Sequence, residues 1–199
     1  MMLVEETTVL TEALPMEAFR AHLRLGSGFG EDSLQDSVLE SFLRAAMSAV
    51  EARTGKILIV RDFRWVVTRW RDTVQQVFPV APVFVITSVE LADRMGGNVT
   101  VASSAYRLFE DTHAPRVVAS GGSLPSIPTE GSATLRFQAG YGSSWQDVPA
   151  DLGQAVLLLA AHYYEYRHET ALQSGCMPFG VTSLLERYRP MRLTVGAGQ

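Results

Sequence analysis

The chain has 199 residues, 47% of them hydrophobic and 19% charged, with a mean hydropathy of +0.09; that is enough apolar material for one sizeable core and excludes a disordered chain. A formal net charge of −4 argues against a protein that wraps nucleic acid with a basic face. No apolar run approaches the ~20 residues that span a bilayer, and the opening MMLVEETT lacks the basic and apolar regions of a secretory leader, so the chain is expected in the cytoplasm and away from membranes.

In chain order, Pro15 to Leu25 reads as a short helix that ends at the glycine-rich stretch Gly26 to Gly30. Asp32 or Ser33 is placed to cap a second helix through Leu34, Val38, Phe42, Ala45, Ala49 and Val50, with Gly55 as its left-handed stop. Ala45, Ala46, Ala49 and Ala52 leave little bulk on this helix, so another helix can approach it closely. From Ile57 to Gly142 the period drops to two. Phe63, Trp65 and Val67 form one alternating set, and Val83, Val85, Thr87, Val89 and Leu91 another. Gly96-Gly97-Asn98 reads as a turn before a short strand at Val99 to Val101. Tyr106 to Phe109, Arg116 to Ala119 and Ala133 to Ala139 supply further strands, with Ala119 to Ser132 as a mobile loop.

A third helix starts at Pro149, whose missing N–H is harmless in a first turn and whose neighbour Asp151 suits the helix dipole. Leu152, Val156, Leu159, Tyr163 and Tyr166 mark its buried face, which is expected to meet the alanines of the second helix. Gly175, Pro178 and Gly180 break it, and Val181, Leu184, Leu185 and Tyr188 restore a helical repeat until Pro190. The fold class is therefore α+β: a helical bundle of N- and C-terminal helices around a central antiparallel β insertion. Residues 1–56 give the first helices, 57–145 the β-rich insertion, 146–193 the closing helices with a docking arm, and 194–199 a tail.

Candidate chemistry is sparse. Glu165 and His168 have the i, i+3 spacing of a di-iron bundle ligand pair, and His162 lies one turn earlier, so a metal-binding or enzymatic helical protein is the rival reading. The only other Glu-x-x-His, Glu110 to His113, falls at a strand end before Pro115. No nucleotide, hydrolase or zinc-protease motif occurs, and the lone Cys176 excludes an intrachain disulfide or cysteine metal site. No catalytic residue, metal or cofactor is therefore expected. Trp65 and Trp70 among Arg61, Arg64, Arg69 and Arg71 look like a surface for single-stranded nucleic acid, but strand alternation splits the set between two faces and favours an arginine-rich edge for subunit contact. Residues 1 to 51 carry nine acidic and three basic side chains, and residues 52 to 72 carry six basic and two acidic. Glu31, Asp32 and Asp36 on one side and the four arginines on the other are thus candidates for contact between identical subunits. Solvated faces give the same count.

Five segments in register resemble the head-tail connector, or adaptor, family of long-tailed bacteriophages, prophages and gene transfer agents. They are AFRAHLRL (Ala18 to Leu25), FLRAAMSAVEARTG (Phe42 to Gly55), FPVAPV (Phe78 to Val83), FQAGYG (Phe137 to Gly142), and the closing pattern VPADLGQAV, HYYEYR and FGVTSLLERYR (Val148 to Arg189). The resemblance implies a structural protein without enzymatic activity. It would form a dodecameric ring between the portal protein and a stopper or tail-proximal component, with DNA passing through the lumen without sequence-specific binding. It also implies a portal-docking arm of Arg187, Tyr188, Arg189, Pro190, Met191, Arg192 and Leu193, and truncation after Glu186 is expected to abolish docking while leaving the core folded.

Overall fold

The computed structural model describes residues 2–25, 33–167 and 177–189. Its elements are β1 (Met2–Glu5), α1 (Met16–His22), α2 (Ser33–Thr54), β2 (Arg61–Val67), β3 (Gln75–Val77), β4 (Val83–Ala92), β5 (Asn98–Thr100), β6 (Tyr106–Phe109), β7 (Arg116–Ala119), β8 (Ser132–Ala139), α3 (Ala150–Glu165) and α4 (Phe179–Leu185). The class is α+β. The glycine-rich stretch 26–30 and the tail 194–199 lie outside the described residues, as do Glu31, Asp32, His168, Cys176 and Pro190 to Leu193.

Helices α2 and α3 form the centre of the helical part, with α4 packed on α3. Leu39, Leu43, Ala46, Met47 and Val50 of α2 are buried with Leu152, Ala155, Val156, Leu159 and Ala160 of α3 and Val181, Leu185 and Tyr188 at the C-terminal end. The small-residue face is narrower than the alanine series implies: Ala46 is fully buried and Ala49 lies at the margin, but Ala45 and Ala52 face solvent. Their 3.6-residue phase puts them on the far side of the helix. Tyr166 likewise falls outside the core, because α3 ends at Glu165 and the tyrosine sits at its exposed C-terminal cap. Gly55 stops α2 with φ of 67°, the left-handed geometry that a glycine takes without penalty. Among the described residues no helix is long and apolar enough to cross a membrane.

The strands form a five-stranded antiparallel sheet in the order β1-β2-β8-β4-β5 and a three-stranded one in the order β3-β7-β6. Strict alternation along β2 and β8 sends Arg61, Phe63, Trp65 and Val67, and Ala133, Leu135, Phe137 and Ala139, to one buried face. There Phe137 stacks on Phe63 at 5.7 Å and meets Phe78 at 4.7 Å, and Val117 of β7 and Leu124 close the cluster. Strand β4 departs from simple alternation at two register shifts, between Val83 and Val85 and between Ile86 and Ser88, which leave Phe84 and Val85 exposed. The connection from Ala119 to Ser132, expected to be a mobile loop, is anchored: Leu124 is buried, its N–H bonds Thr73 O at 2.7 Å, and the Trp70 indole donates to Pro125 O at 2.8 Å.

The α2–α3 seam gives a direct test. Leu159 is buried against both neighbouring helices, so Leu159→Ala should lower the unfolding free energy by roughly 2–5 kcal/mol in chemical denaturation, and a loss below about 0.5 kcal/mol would remove the side chain from the core.

Candidate assembly interface

The C-terminal end of the described chain is built on the first turn of α3. Pro149 precedes that turn and Asp151 lies within it. After α4, a single 3-10 turn over Glu186–Tyr188 brings Tyr188 back onto α3 with 4% of its surface exposed. Its hydroxyl donates to Asp151 Oδ1 at 2.7 Å and accepts from Arg187 Nη2 at 2.7 Å, while Arg187 Nε lies 3.1 Å from Asp151 Oδ2. Beside this cluster opens a cavity of about 330 Å³ lined by Thr112, His113, Tyr141, Pro149, Arg187 and Tyr188. The Tyr141 hydroxyl is buried there with no hydrogen-bond partner among the described residues, and burial, aided by the nearby Tyr188 and Asp151, pushes its pKa up to about 12.

Of the residues expected to form a docking arm, Tyr188 is therefore an anchor in the core and not a free contact. Arg187 is tied to Asp151, Arg189 is exposed, and Pro190, Met191, Arg192 and Leu193 lie outside the described residues. Truncation after Glu186 would cut out a core residue, so it does not separate docking from folding.

The arginine set is also dispersed. Arg61 is only 8% exposed, and its guanidinium is committed within the subunit to Glu51 at 2.6 Å and to Glu5 at 3.3 Å. Arg64 lies 3.2 Å from Glu6 on the outward face of the large sheet, where Arg136 bridges Glu6 at 3.7 Å and Glu90 at 2.6 Å. Arg69 and Arg71 are exposed on the connection after β2 and have no carboxylate partner among the described residues. Asp36 pairs with Arg20. Trp65 is buried, and Trp70 is half-buried and hydrogen-bonded inward, so the pair forms no stacking platform.

Burial pushes the Glu51 carboxyl above its ordinary range despite the pull of the Arg61 guanidinium and the Leu58 N–H, which donates to it at 2.9 Å. Lys56, the only lysine, is buried with its ammonium donating to Thr112 O at 2.6 Å, and burial lowers its pKa. Of the rival metal-binding set, His162 is half-buried with its ring 4.6 Å from that of Tyr166, Glu165 is exposed and His168 lies outside the described residues; among those described no group of three His, Cys, Asp or Glu side chains is placed to hold a metal ion.

No protein-family model and no curated protein sequence matches the chain. Solved structures do. A chain in the neck of an empty gene transfer agent particle computed with C6 symmetry is 48% identical, with all of both chains aligned and a TM-score of 0.89. A chain of the virion of a native gene transfer agent particle is 48% identical over 98% of this chain and 99% of that one, with a TM-score of 0.86. A third, from the neck of a native particle computed with C12 symmetry, is 45% identical over the full length of both, with a TM-score of 0.84. The chain belongs to the head-tail connector family.

The matched chains are structural parts of gene transfer agent necks and virions and not enzymes, and the polar clusters of this connector tie its own elements together. Sequence reasoning missed Glu51 and Asp151 as organising residues of the connector, since each carboxylate acts on a partner from another element. Glu51→Gln should cost about 3 kcal/mol in urea unfolding, because it strands the buried Arg61 with Glu5 alone. Paired replacement of Glu51 and Arg61 by apolar residues of similar volume should cost much less, and equal losses in the two experiments would refute the stranding explanation.

Proposed function

We propose that this connector is the adaptor of a phage-like particle, a ring subunit between the portal vertex and the tail-proximal stopper, with DNA passing through the central opening. The observation that carries this reading is the full-length match, at 45–48% identity, to chains from the necks and virion of gene transfer agent particles, one of the necks computed with C12 symmetry. A dodecameric ring needs heterologous contacts, one face of each subunit meeting a different face of the next. Exposed Arg69 and Arg71 are candidates for that contact, and Glu31 and Asp32 for its acidic counterpart. Many modest contacts of this kind add through multivalency once the first subunits are seated. A net negative subunit also suits a channel through which DNA slides without sticking. Assembly would take place in the cytoplasm, after which the subunit remains in the particle.

The arm that begins at Arg189 is the proposed portal contact, with Arg189 and Arg192 pairing with portal carboxylates and Met191 and Leu193 filling a groove. Truncation after Arg189 keeps Tyr188 and its partners and removes only residues 190–199. The truncated protein should melt like the full chain by circular dichroism, yet fail to join heads to tails when it replaces the full chain in particle assembly. Normal tailed particles from the truncated protein would refute the arm.

Ring formation is expected to depend on the portal, since contacts between arm and portal contribute to association only once the portal is present. At micromolar concentration, light scattering of the isolated protein should report a monomer or a weak oligomer. A stable dodecamer without portal would reject that dependence.

A further inference from the structure

We propose that Asp151 is a positioning residue for the C-terminal arm: its carboxylate clamps Tyr188 and Arg187, and the clamp sets where and in which direction the arm leaves the helical bundle. This role deepens the portal-docking reading above and depends on it.

The geometry is a closed circuit of three side chains. Asp151 Oδ1 accepts the Tyr188 hydroxyl at 2.7 Å, Asp151 Oδ2 lies 3.1 Å from Arg187 Nε, and Arg187 Nη2 donates to the same Tyr188 oxygen at 2.7 Å. The guanidinium also lies 4.7 Å from the Tyr188 ring centroid. Both carboxylate oxygens are thus engaged by the last turn of the described chain, through charge-assisted bonds. An ion pair with an arginine 71% exposed holds little by itself. What differs here is the shared third member: the tyrosine ring is buried in the helical core, so the hydroxyl that joins the two charges cannot drift. The backbone is closed at the same place, because the Arg189 N–H bonds Glu186 O at 3.3 Å. Asp151 belongs to the first turn of α3, a helix packed along α2, so the arm's point of departure is referred to the packed helical core. Without the clamp the last described turn would be free to move off α3, and the point at Arg189 from which the proposed arm departs would have to be ordered anew at each docking event. A base already held in place removes that ordering cost from docking.

Trypsin supplies a readout at the clamp itself. The Arg187–Tyr188 bond is a substrate only when the last turn opens, and the Arg189–Pro190 bond next to it resists cleavage because of the proline. In Asp151→Asn and Tyr188→Phe, cleavage after Arg187, followed by mass spectrometry, should accelerate about ten-fold, the effect of losing one charge-assisted hydrogen bond. Tyr188→Phe keeps the buried ring and should melt only about 2–4 °C below the parent, so it decides the matter if Asp151→Asn perturbs the start of α3. Binding to purified portal rings, read by co-sedimentation, should weaken about ten-fold in the same variants. Unchanged cleavage overturns the clamp, and faster cleavage with unchanged portal binding overturns its positioning role. Failure of the docking reading looks different: the protein truncated after Arg189 would bind portal normally even though Tyr188→Phe still speeds cleavage after Arg187.

Discussion

The structure depends on one junction, the seven residues from Gly55 to Arg61, where the chain leaves the helical core and enters the sheet. Ile57 belongs to the sheet cluster, whereas the next two residues, Leu58 and Ile59, belong to the helical one, so the two cores share a wall one residue thick. What holds that wall is the Glu51 carboxylate, which reaches past the end of α2 to accept the Leu58 N–H and the Arg61 guanidinium. The left-handed Gly55 turns the backbone, and Lys56 and Ile57 pair with Ala81 across the gap. Gly140 completes the wall from the other side: a side chain there would run into the Val60 backbone at 2.5 Å. The burial that raises the Glu51 pKa is the cost of this arrangement, offset by the Leu58 N–H and the Arg61 guanidinium.

The same junction changes the meaning of the charge pattern. Along the sequence, an acidic first quarter precedes a basic stretch, which reads as a subunit with complementary faces. In the fold, β1 lies antiparallel to β2, so Glu5 and Glu6 are brought against Arg61 and Arg64, and the helix α2 delivers Glu51 to the same place. Asp36 and Glu40 are likewise paired, with Arg20 and Arg44. Much of the linear asymmetry is consumed inside the subunit, and the exposed arginines of the basic stretch without a carboxylate partner among the described residues are Arg53 at the end of α2 and Arg69 and Arg71 after β2.

How much was legible follows from how local each signal is. The helices α1, α2 and α3, the strands from β4 to β8 and the Gly55 stop all have periodicity or cap chemistry within a few residues, and the structure has them within a residue or two for most ends. Strand β1 was not legible because Met2–Glu5 is a short edge strand with no alternation of its own, and it exists only because β2 offers it a register. Strand β3 is three residues around the buried Gln76, whose side chain accepts the Arg71 N–H instead of looking like a core residue. The expected mobile loop failed for a related reason: Gly, Ser and Pro in its composition describe flexibility, while one buried leucine and two backbone bonds decide its position.

The candidate site shows the limit most clearly. Helix-end chemistry marks Tyr188 to Pro190 as a terminus, and the family resemblance marks it as an arm, but neither says where the arm is attached. The last described turn is tied to Asp151, 37 residues before Tyr188, which reads in sequence as an ordinary N-terminal carboxylate balancing a helix dipole. Its second use arises only because α4 folds back along α3 and brings a tyrosine hydroxyl and a guanidinium to the same two oxygens. For the proposed ring subunit such an attachment would serve symmetry: each copy would have to offer its arm at the same angle, and an angle is reproduced from copy to copy when it is referred to packed helices.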